Sequence, residues 1–378
     1  MSALSNNSTT SNRTDQSFSG LNRPNQTELQ VRMVCLWLII VVGLIGNSFI
    51  VAVIRIFQRM RTTTNYLLVN VAVADITTLL FTSIHLLVPI KASFPTGALG
   101  SFLCKFIYTN NITMVTLLVI ALTLTLLAVE RYHAMVKPLL TSRRITTSKI
   151  AYFITGLWVV SIAMVTPLFV SLDHRPSSKS LCSPGNSHDE MRVYVTFLVV
   201  ALTLLPFLTI AFCYSRIICG LYCTKTICSR SRGVNGQRSM KEKKRLLILL
   251  VVLTGVFFVA FLPYGVVMIL QFNRMTSKSV AGFPNFSRLR SGTQYLTLLN
   301  CSLNPFIYAI PSTNYRCCLK YFVKRIFCQD TTKELETLEL RDTSIRNDIE
   351  LKLVNKPRRY INGYCFECQK PKNPADPC

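Results

Sequence analysis

Seven apolar segments, separated by shorter polar ones, dominate the pattern of hydrophobic and polar positions along the chain. A transmembrane helix needs roughly 20 mostly apolar residues to cross about 30 Å of hydrocarbon. Stretches of that length occupy approximately residues 33–54, 66–90, 102–129, 150–172, 193–219, 245–270 and 292–311. Helices of soluble proteins rarely stay apolar on every face for so long. The pattern therefore predicts an all-α membrane protein, a seven-transmembrane helix bundle, rather than the buried helices of a large soluble protein.

The composition supports this interpretation. Of the 378 residues, 50% are hydrophobic and only 16% are charged, whereas an ordinary soluble domain carries about 25% charged residues. The formal net charge of +25 could indicate a nucleic-acid partner. However, the last 49 residues hold nine basic and nine acidic side chains, so the whole excess lies in clusters between the apolar segments. That distribution is typical of a polytopic membrane protein and argues against nucleic-acid binding.

Basic residues in the short loops predict the orientation of the chain, because cytoplasmic loops are enriched in Lys and Arg. One side carries twenty of them, within residues 55–61, 137–149, 216–245 and 316–325, and the opposite side carries twelve. We therefore predict a multi-pass plasma-membrane protein with an extracellular N-terminus and a cytoplasmic C-terminus. Residues 1–32 form the extracellular segment, and residues 33–311 form the transmembrane domain.

The N-terminal segment is polar and contains four N-x-Ser/Thr sequons, which are acceptors for N-glycosylation when they are extracellular. The candidate glycosylation sites are Asn6, Asn7, Asn12 and Asn25.

The segment after the seventh apolar stretch has two parts. In residues 312–328, apolar side chains recur at helical spacing, and basic side chains lie on another face of the same helix. This pattern predicts a short amphipathic eighth helix that lies on the inner membrane surface against anionic lipid. Its cysteines, Cys317, Cys318 and Cys328, are candidates for palmitoylation because juxtamembrane cysteines in the cytosol favour that modification. Residues 329–378 are predicted to be an unstructured cytoplasmic tail, whose C-x-x-C pair lacks the further ligands that a metal site needs.

Two cysteines, Cys104 and Cys182, lie on the predicted outer side, clear of the bilayer core. An extracellular location favours a disulfide, and we predict that one joins the top of the third helix to the loop after the fourth. Two unpaired thiols are the alternative.

A carboxylate, Asp75, lies inside the second apolar segment. An intramembrane charge costs about 2.5 kcal/mol or more, so such a residue is a functional candidate. Asn47, Asn300 and Asn304 could converge on it across the bundle. The group suits a sodium ion or a proton, and a purely structural hydrogen-bond network is the alternative. No other metal or cofactor is predicted.

The chain resembles the rhodopsin-like (class A) G-protein-coupled receptors over about residues 33–328. The likeness rests on Gly46-Asn47, Ala74-Asp75, Cys104, Glu130-Arg131-Tyr132, Trp158, Pro206, Tyr214, Phe257, Phe261-Leu262-Pro263 and Asn304-Pro305-Phe306-Ile307-Tyr308. One such motif is weak, but their joint order is specific. The resemblance implies a receptor without enzymatic activity, whose outer cavity binds an agonist and whose inner face activates a heterotrimeric G protein. Arrestin and membrane lipid are further expected partners.

The resemblance also implies roles for individual residues. The inner G-protein switch would consist of Glu130, Arg131, Tyr132, Tyr214, Asn304, Pro305 and Tyr308. The core relay would consist of Pro206, Phe257, Phe261 and Pro263. The prolines in these sets distort helices by removing a backbone donor, and such kinks provide hinges.

Four positions depart from the family pattern. Cys104 precedes Arg131 by 27 positions, where the family usually has 25, which predicts an insertion in the outer part of the third helix. Phe261 stands where the family usually has Trp, and Ile120 stands where a serine often faces the sodium site. Lys243 occupies a position where some members carry an acid that pairs with the third-helix arginine.

Two ligand classes are not expected for this chain. Thr113 stands where amine receptors carry their ligand-pairing Asp, which argues against an amine ligand. Leu298 stands where opsins carry the retinal lysine, which argues against a light sensor. The chain looks like neuropeptide receptors of the galanin and allatostatin type; a small-molecule or lipid receptor of the same fold is the alternative, and a transporter a distant one. The candidate ligand-binding residues are His85, Thr113, Met114, Tyr264, Gln271, Arg288, Arg290 and Gln294.

The predicted outer segments carry twelve basic and five acidic residues, a net charge of +7. Arg288 and Arg290 lie just before the seventh segment, at the rim of the expected cavity, where their field would steer an anionic ligand. Solvated charges near lipid headgroups are the alternative.

Overall fold

The computed structural model describes residues 26–87, 95, 97–136, 145–174, 182–184, 188–223, 234–276, 286–310, 312 and 315–320. The four predicted glycosylation sites, Cys328 and the predicted tail 329–378 lie outside these residues. The side chains of His85 and Lys243 also lie outside the described set.

The described chain is a bundle of α-helices with one short β-hairpin. The helices are α1 (Gln26–Ile56), α2 (Thr63–Leu87), α3 (Gly97–Leu103), α4 (Asn111–Met135), α5 (Ile150–Ser171), α6 (His188–Ile218), α7 (Val234–Thr276) and α8 (Phe286–Ala309). Strands β1 (Leu172–His174) and β2 (Cys182–Pro184) pair antiparallel, with His174 opposite Cys182. Single π-helical turns cover Cys104–Tyr108 and Cys219–Cys223, and a 3-10 turn covers Gln58–Met60.

Each of the seven predicted segments is helical, so the seven-helix fold is confirmed, although three boundaries differ. The first helix begins at Gln26, inside the segment predicted to precede the membrane domain. The sixth begins at Val234, because the helix includes a polar and basic stretch ahead of its apolar part. The third predicted segment is divided between α3, a π turn and α4.

Helix α8 spans the bundle although it is much more polar than its neighbours. Six described helical spans are long and apolar enough to cross a membrane by length and composition, and α8 is not among them. Its polar side chains Thr293, Gln294, Thr297, Asn300 and Asn304 are buried inside the protein. Because α8 packs against α1, α2 and α7, these groups face other helices, and the low hydropathy of α8 therefore reflects its interior face.

Helix α4 forms the axis of the bundle. It packs against α2, α5, α6 and α7, and most of its residues are buried from Asn111 to Met135. By contrast, α5 buries only Ile150, Ser161, Val165 and Leu168, and it exposes large apolar side chains such as Val159 and Val170. An exposed apolar face of this kind fits contact with lipid tails.

Residues 315–320 are helical and follow α8. Tyr315 and Cys318 are buried, whereas Arg316, Leu319 and Lys320 are exposed. The part of the predicted amphipathic helix that the structure describes is therefore two-sided, as expected. Cys318 packs into the main core at 1% exposure, whereas Cys317 is half-buried; palmitoylation of either stays a prediction.

The contact between α1 and α8 depends on small residues. A Cβ atom added to Gly46 would lie 2.6 Å from Cγ of Pro305, and one added to Gly43 would lie 2.5 Å from the Ser302 hydroxyl oxygen. That hydroxyl donates to the backbone carbonyl of Ile39 at 2.8 Å. Small residues that let two helix backbones approach closely are the usual basis of helix association in membranes.

We predict that Gly46→Ala destabilises the bundle by about 1–3 kcal/mol, because the new methyl group overpacks against the Pro305 ring. Gly156→Ala is the matched control, since a Cβ there meets nothing within 4 Å and alanine favours a helix over glycine by about 1 kcal/mol. Thermal melting of the purified chain in detergent should show a lower Tm for the first variant only. Equal melting temperatures would contradict the close approach of α1 and α8.

Candidate functional site

The predicted polar group in the middle of the bundle is assembled around Asp75, which is fully buried on α2. The Asn304 amide donates to Oδ2 of Asp75 at 2.6 Å. Asn47 donates to the carbonyl oxygens of Gly43 at 2.9 Å and Cys301 at 3.0 Å. The hydrogen bonds thus join α2 directly to α8, and α8 to α1.

Several oxygens of this group lack a hydrogen-bond partner within the described part of the chain. They are buried oxygens of one carboxylate and three amides: Oδ1 of Asp75, Asn47, Asn300 and Asn304. Carboxylate and amide oxygens are the ligand type that hard cations prefer, so the donor set fits a cation, whereas Ile120 supplies no oxygen. The sodium site stays a prediction, in which these residues would hold the ion and neutralise its charge.

At the end of the bundle where α4 finishes, Arg131 is held in two directions. Its Nε atom donates to Oε2 of Glu130 at 2.5 Å, and its Nη2 atom donates to the Thr64 hydroxyl on α2. The arginine is therefore bound to its own helix and to α2. Thr64 was not identified from the sequence, because its importance depends on how α2 and α4 are placed side by side.

The three tyrosines of the predicted switch lie at the same end, whereas Asn304 belongs to the polar group around Asp75. The Tyr214 hydroxyl lies 3.4 Å from that of Thr254, which joins α6 to α7. Tyr308 is fully buried, and its ring centroid lies 6.4 Å from that of Tyr315. The Tyr132 ring lies on the α6 side, 6.0 Å from Phe212.

Two of the predicted relay residues, both on α7, lie against each other within the bundle. The rings of Phe257 and Phe261 stack on successive turns of α7, with centroids 5.4 Å apart and planes 11° from parallel. Next to them, Phe258 meets Phe207 of α6 edge-on, with centroids 5.4 Å apart. Phe207 directly follows the buried Pro206. The contact between α6 and α7 is therefore aromatic at the level of the helix-distorting prolines.

At the opposite end, which we call the disulfide end, Cys104 and Cys182 form the predicted bond with their Cα atoms 5.7 Å apart. The bond ties β2 to the π turn that precedes α4. Since β1 continues directly from α5, the hairpin and the start of α4 are fixed to each other at this end.

The backbone is irregular between Cys104 and Asn111, in the part of the third segment where an insertion is predicted. The chain forms a π turn at Cys104–Tyr108, in which the Thr109 N–H donates to the Cys104 carbonyl at 3.3 Å. Asn110 then adopts φ 58° and ψ 28°, the left-handed conformation, and α4 begins at the next residue. The irregular backbone thus ends before α4 begins, and Thr113 and Met114 lie buried on the regular helix.

A ladder of hydroxyl groups joins α2 to α4 below this break. The hydroxyl oxygens of Thr82 and Thr113 lie 2.7 Å apart, and those of Thr78 and Thr116 lie 2.6 Å apart. Thr113 also donates to Oδ1 of Asn110 at 2.6 Å. Thr113 is fully buried in this ladder, where its hydroxyl bonds to those of Thr82 and to Asn110; its contact with the ligand stays a prediction.

The other predicted ligand-binding residues lie on α4, α7 and α8 at the disulfide end. Met114, Tyr264 and Gln294 are buried, Gln271 and Arg290 are half-buried, and Arg288 is exposed. The Tyr264 hydroxyl interacts with the Asn110 side chain through a hydrogen bond and with the positive charge of Arg290. Asn110 was missed from the sequence, although the altered spacing between Cys104 and Arg131 marks the region that contains it.

Comparison with known proteins places the chain among receptors. The family model described as "7 transmembrane receptor (rhodopsin family)" matches residues 46–308. The chain is 31% identical over 320 residues to galanin receptor type 1 of Mus musculus, covering 82% of this chain and 86% of that receptor. It is 30% identical over 294 residues to somatostatin receptor type 4 of Rattus norvegicus, covering 76% and 71%. It is 26% identical over 302 residues to the pyroglutamylated RF-amide peptide receptor of Rattus norvegicus, covering 74% and 66%.

We predict that Cys104→Ser and Cys182→Ser each reduce delivery of the chain to the cell surface several-fold, because loss of a disulfide typically costs about 2–4 kcal/mol. The double variant should be no worse than either single one, since both remove the same bond. Surface immunolabelling against total protein provides the measurement. Losses that add in the double variant would show that the two cysteines act independently.

Proposed function

The chain belongs to the rhodopsin family of seven-transmembrane receptors, and from this premise we propose that it is a cell-surface receptor for a neuropeptide, which transmits agonist binding to a heterotrimeric G protein. This receptor family is a signalling class and is not enzymatic. The galanin, somatostatin and RF-amide receptors that the chain is similar to are all named for peptides. These relatives favour a peptide over a small molecule or lipid, and they do not favour a transporter.

One observation carries the proposal: the hydrogen bond from Arg131 to Thr64 joins α4 to α2, so a movement of one helix against the other can release this side of the guanidinium. Its partner Thr64 lies on another helix, and its neighbour Glu130 lies at the same end of the bundle. A guanidinium that changes partners can bind an inserted segment of a G protein. Agonist binding would then act by population shift, because it stabilises the arrangement in which these contacts are broken.

The disulfide end faces the outside in this proposal, and the Arg131 end faces the cytosol. The support comes from the loop charges and from Arg61, Arg316 and Lys320, which are exposed at the Arg131 end. The N-terminal sequons would then be accessible to glycosylation, and Cys317 would lie beside the inner leaflet. Arrestin and anionic lipid are further proposed partners of this inner face.

The test is a peptide screen on cells that express the chain, with cyclic AMP and calcium as readouts. A responding peptide should bind the Arg131→Ala variant at the surface but produce at most about a tenth of the response, because the variant lacks the charged group that meets the G protein. Lys320→Ala is the control, since it removes an exposed positive charge at the same end and should keep most of the signal. A full response by Arg131→Ala at equal surface level would overturn the proposed mechanism.

We further predict that Thr64→Val raises ligand-independent signalling several-fold, because valine keeps the shape of threonine but cannot accept the hydrogen bond from Arg131. Thr125→Val is the matched control, since among the described residues the Thr125 hydroxyl bonds only to the Ala121 carbonyl of its own helix. Cyclic AMP measured without peptide, at matched surface expression, separates the two variants. An unchanged basal level in Thr64→Val would show that this contact does not restrain the arginine.

A further inference from the structure

The third membrane segment is longer than a membrane requires. It runs from Gly97 to Met135, a span of 39 residues, whereas about 20 suffice to cross the hydrocarbon. Helix α4 covers that distance alone, because the rise from Asn111 to Arg131 is about 30 Å and no charged residue lies between Asn111 and Glu130. Since charged residues are costly inside the hydrocarbon, Arg131 marks one boundary. Helix α3 and the π turn therefore lie beyond the other boundary, at the disulfide end.

This part of the chain nevertheless exposes large apolar side chains on one face. Leu99 is 58% exposed, Phe102 is 53% exposed and Phe106 is 37% exposed. Their spacing of three and four residues places them on the same side of the helical segment. Gly100 and Cys104, on the other side, are buried. An apolar face of this kind is unfavourable in water, so its position beyond the hydrocarbon requires a partner that covers it.

The exposed rings belong to a cluster that reaches α5. The rings of Phe102 and Phe106 lie with their centroids 4.8 Å apart and their planes 29° from parallel. The centroid of Phe106 lies 5.2 Å from that of Phe169 on α5. Helix α5 begins at Ile150, so Phe169 lies about 28 Å along its axis, close to the same boundary of the hydrocarbon. We call Leu99, Phe102, Phe106 and Phe169 the boundary patch.

The position of α5 shows which side of the bundle the boundary patch is on. Among the described elements α5 packs mainly against α4 and makes no extensive contact with α7 or α8, the helices that carry most of the predicted ligand-binding residues. Phe169 borders the side of α5 on which Val159, Ile162 and Val170 are exposed. That side fits contact with lipid tails, and the boundary patch continues it past the end of the hydrocarbon. Lipid is therefore a better partner for the patch than a ligand held between α4, α7 and α8.

We propose that the boundary patch inserts into the zone where lipid headgroups meet the acyl chains, in the leaflet at the disulfide end, and anchors the break before α4 at that depth. Segments that lie in this zone bury Phe and Leu side chains about 5–10 Å below the headgroups. The partner is the lipid surface itself. The anchor acts directly on the start of α4, and the disulfide from Cys104 to Cys182 extends it to the hairpin.

Fluorescence quenching measures the depth of the patch. Phe102→Trp is introduced into the full-length chain together with Trp37→Phe, which removes the exposed tryptophan of α1, and the protein is reconstituted in phosphatidylcholine vesicles. The Trp37→Phe chain supplies the background from Trp158. The lipids carry bromine either near the headgroup or near the acyl end, and iodide serves as the quencher in water. The introduced tryptophan should be quenched roughly twice as strongly by the shallow bromine as by the deep bromine, and only weakly by iodide.

Val159→Trp in the same background is the matched control, because Val159 is exposed on the same side of the protein but lies in the middle of α5. It should be quenched more by the deep bromine. Stronger quenching by iodide than by either lipid at position 102 would overturn the proposal, because the patch would then face water. Protection from all three quenchers would also overturn it. If dilution of the protein in lipid then removed the protection, the cover would be a second copy of the chain.

A second measurement tests whether the contact stabilises the protein. Phe102→Ser should lower the Tm in lipid nanodiscs by roughly 3 °C, because the side chain loses its apolar contact with lipid. Phe102→Tyr should melt like the unaltered chain, because an amphipathic ring is suited to the membrane interface. An unchanged Tm in Phe102→Ser, or an equal loss in Phe102→Tyr, would contradict an anchor in the headgroup zone.

Discussion

Every polar group inside the bundle must find its partner within the protein, because hydrocarbon offers none. This constraint explains how α8 can cross the bundle with several buried polar side chains: Thr297 donates to the carbonyl four residues earlier, and Asn304 donates to Asp75. It also explains a link across three helices, in which the Asn70 amide donates to Thr123 at 2.8 Å and its oxygen accepts from the Trp158 indole at 2.9 Å. Polar groups thus act here as specific connections between helices.

Because most interior polar groups are satisfied in this way, those that are not become informative. In the middle of the bundle the unpartnered atoms are oxygens around Asp75, which suit a cation or a proton. At the break before α4 the Asn110 side chain bonds instead to Thr113 and to the Tyr264 hydroxyl. At the Arg131 end, the hydroxyls of Tyr308 and Tyr315 and Nδ1 of His133 also lack a hydrogen-bond partner within the described residues.

The sequence alone predicted the features that depend on a local pattern of residues or on the side of the membrane where a residue lies. The apolar segments predicted the helices, the location of Cys104 and Cys182 predicted the disulfide, and the spacing of Phe257 and Phe261 places them one turn apart on a helix. Features that depend on the lateral register of two helices were not predictable from one chain. The bond from Arg131 to Thr64 is one, and the burial of Thr113 in the hydroxyl ladder is another. The left-handed conformation of Asn110 was not predictable either. The number of residues between Cys104 and Arg131 indicates an insertion, but it does not tell which residue adopts an unusual backbone conformation.

The two ends of the bundle are connected by one face of α7. Tyr264, Phe261, Phe257 and Thr254 follow each other at spacings of three or four residues and are all buried, so they form a continuous stripe roughly 15 Å long. Tyr264 lies beside Asn110 at one end of the stripe, and Thr254 contacts Tyr214 at the other. Pro263 interrupts the helix within this stripe, and a proline removes a backbone hydrogen bond there and permits bending. A group bound between α4 and α7 at the disulfide end would therefore act on the segment beyond the bend, and the remainder of α7 would carry that change to Tyr214.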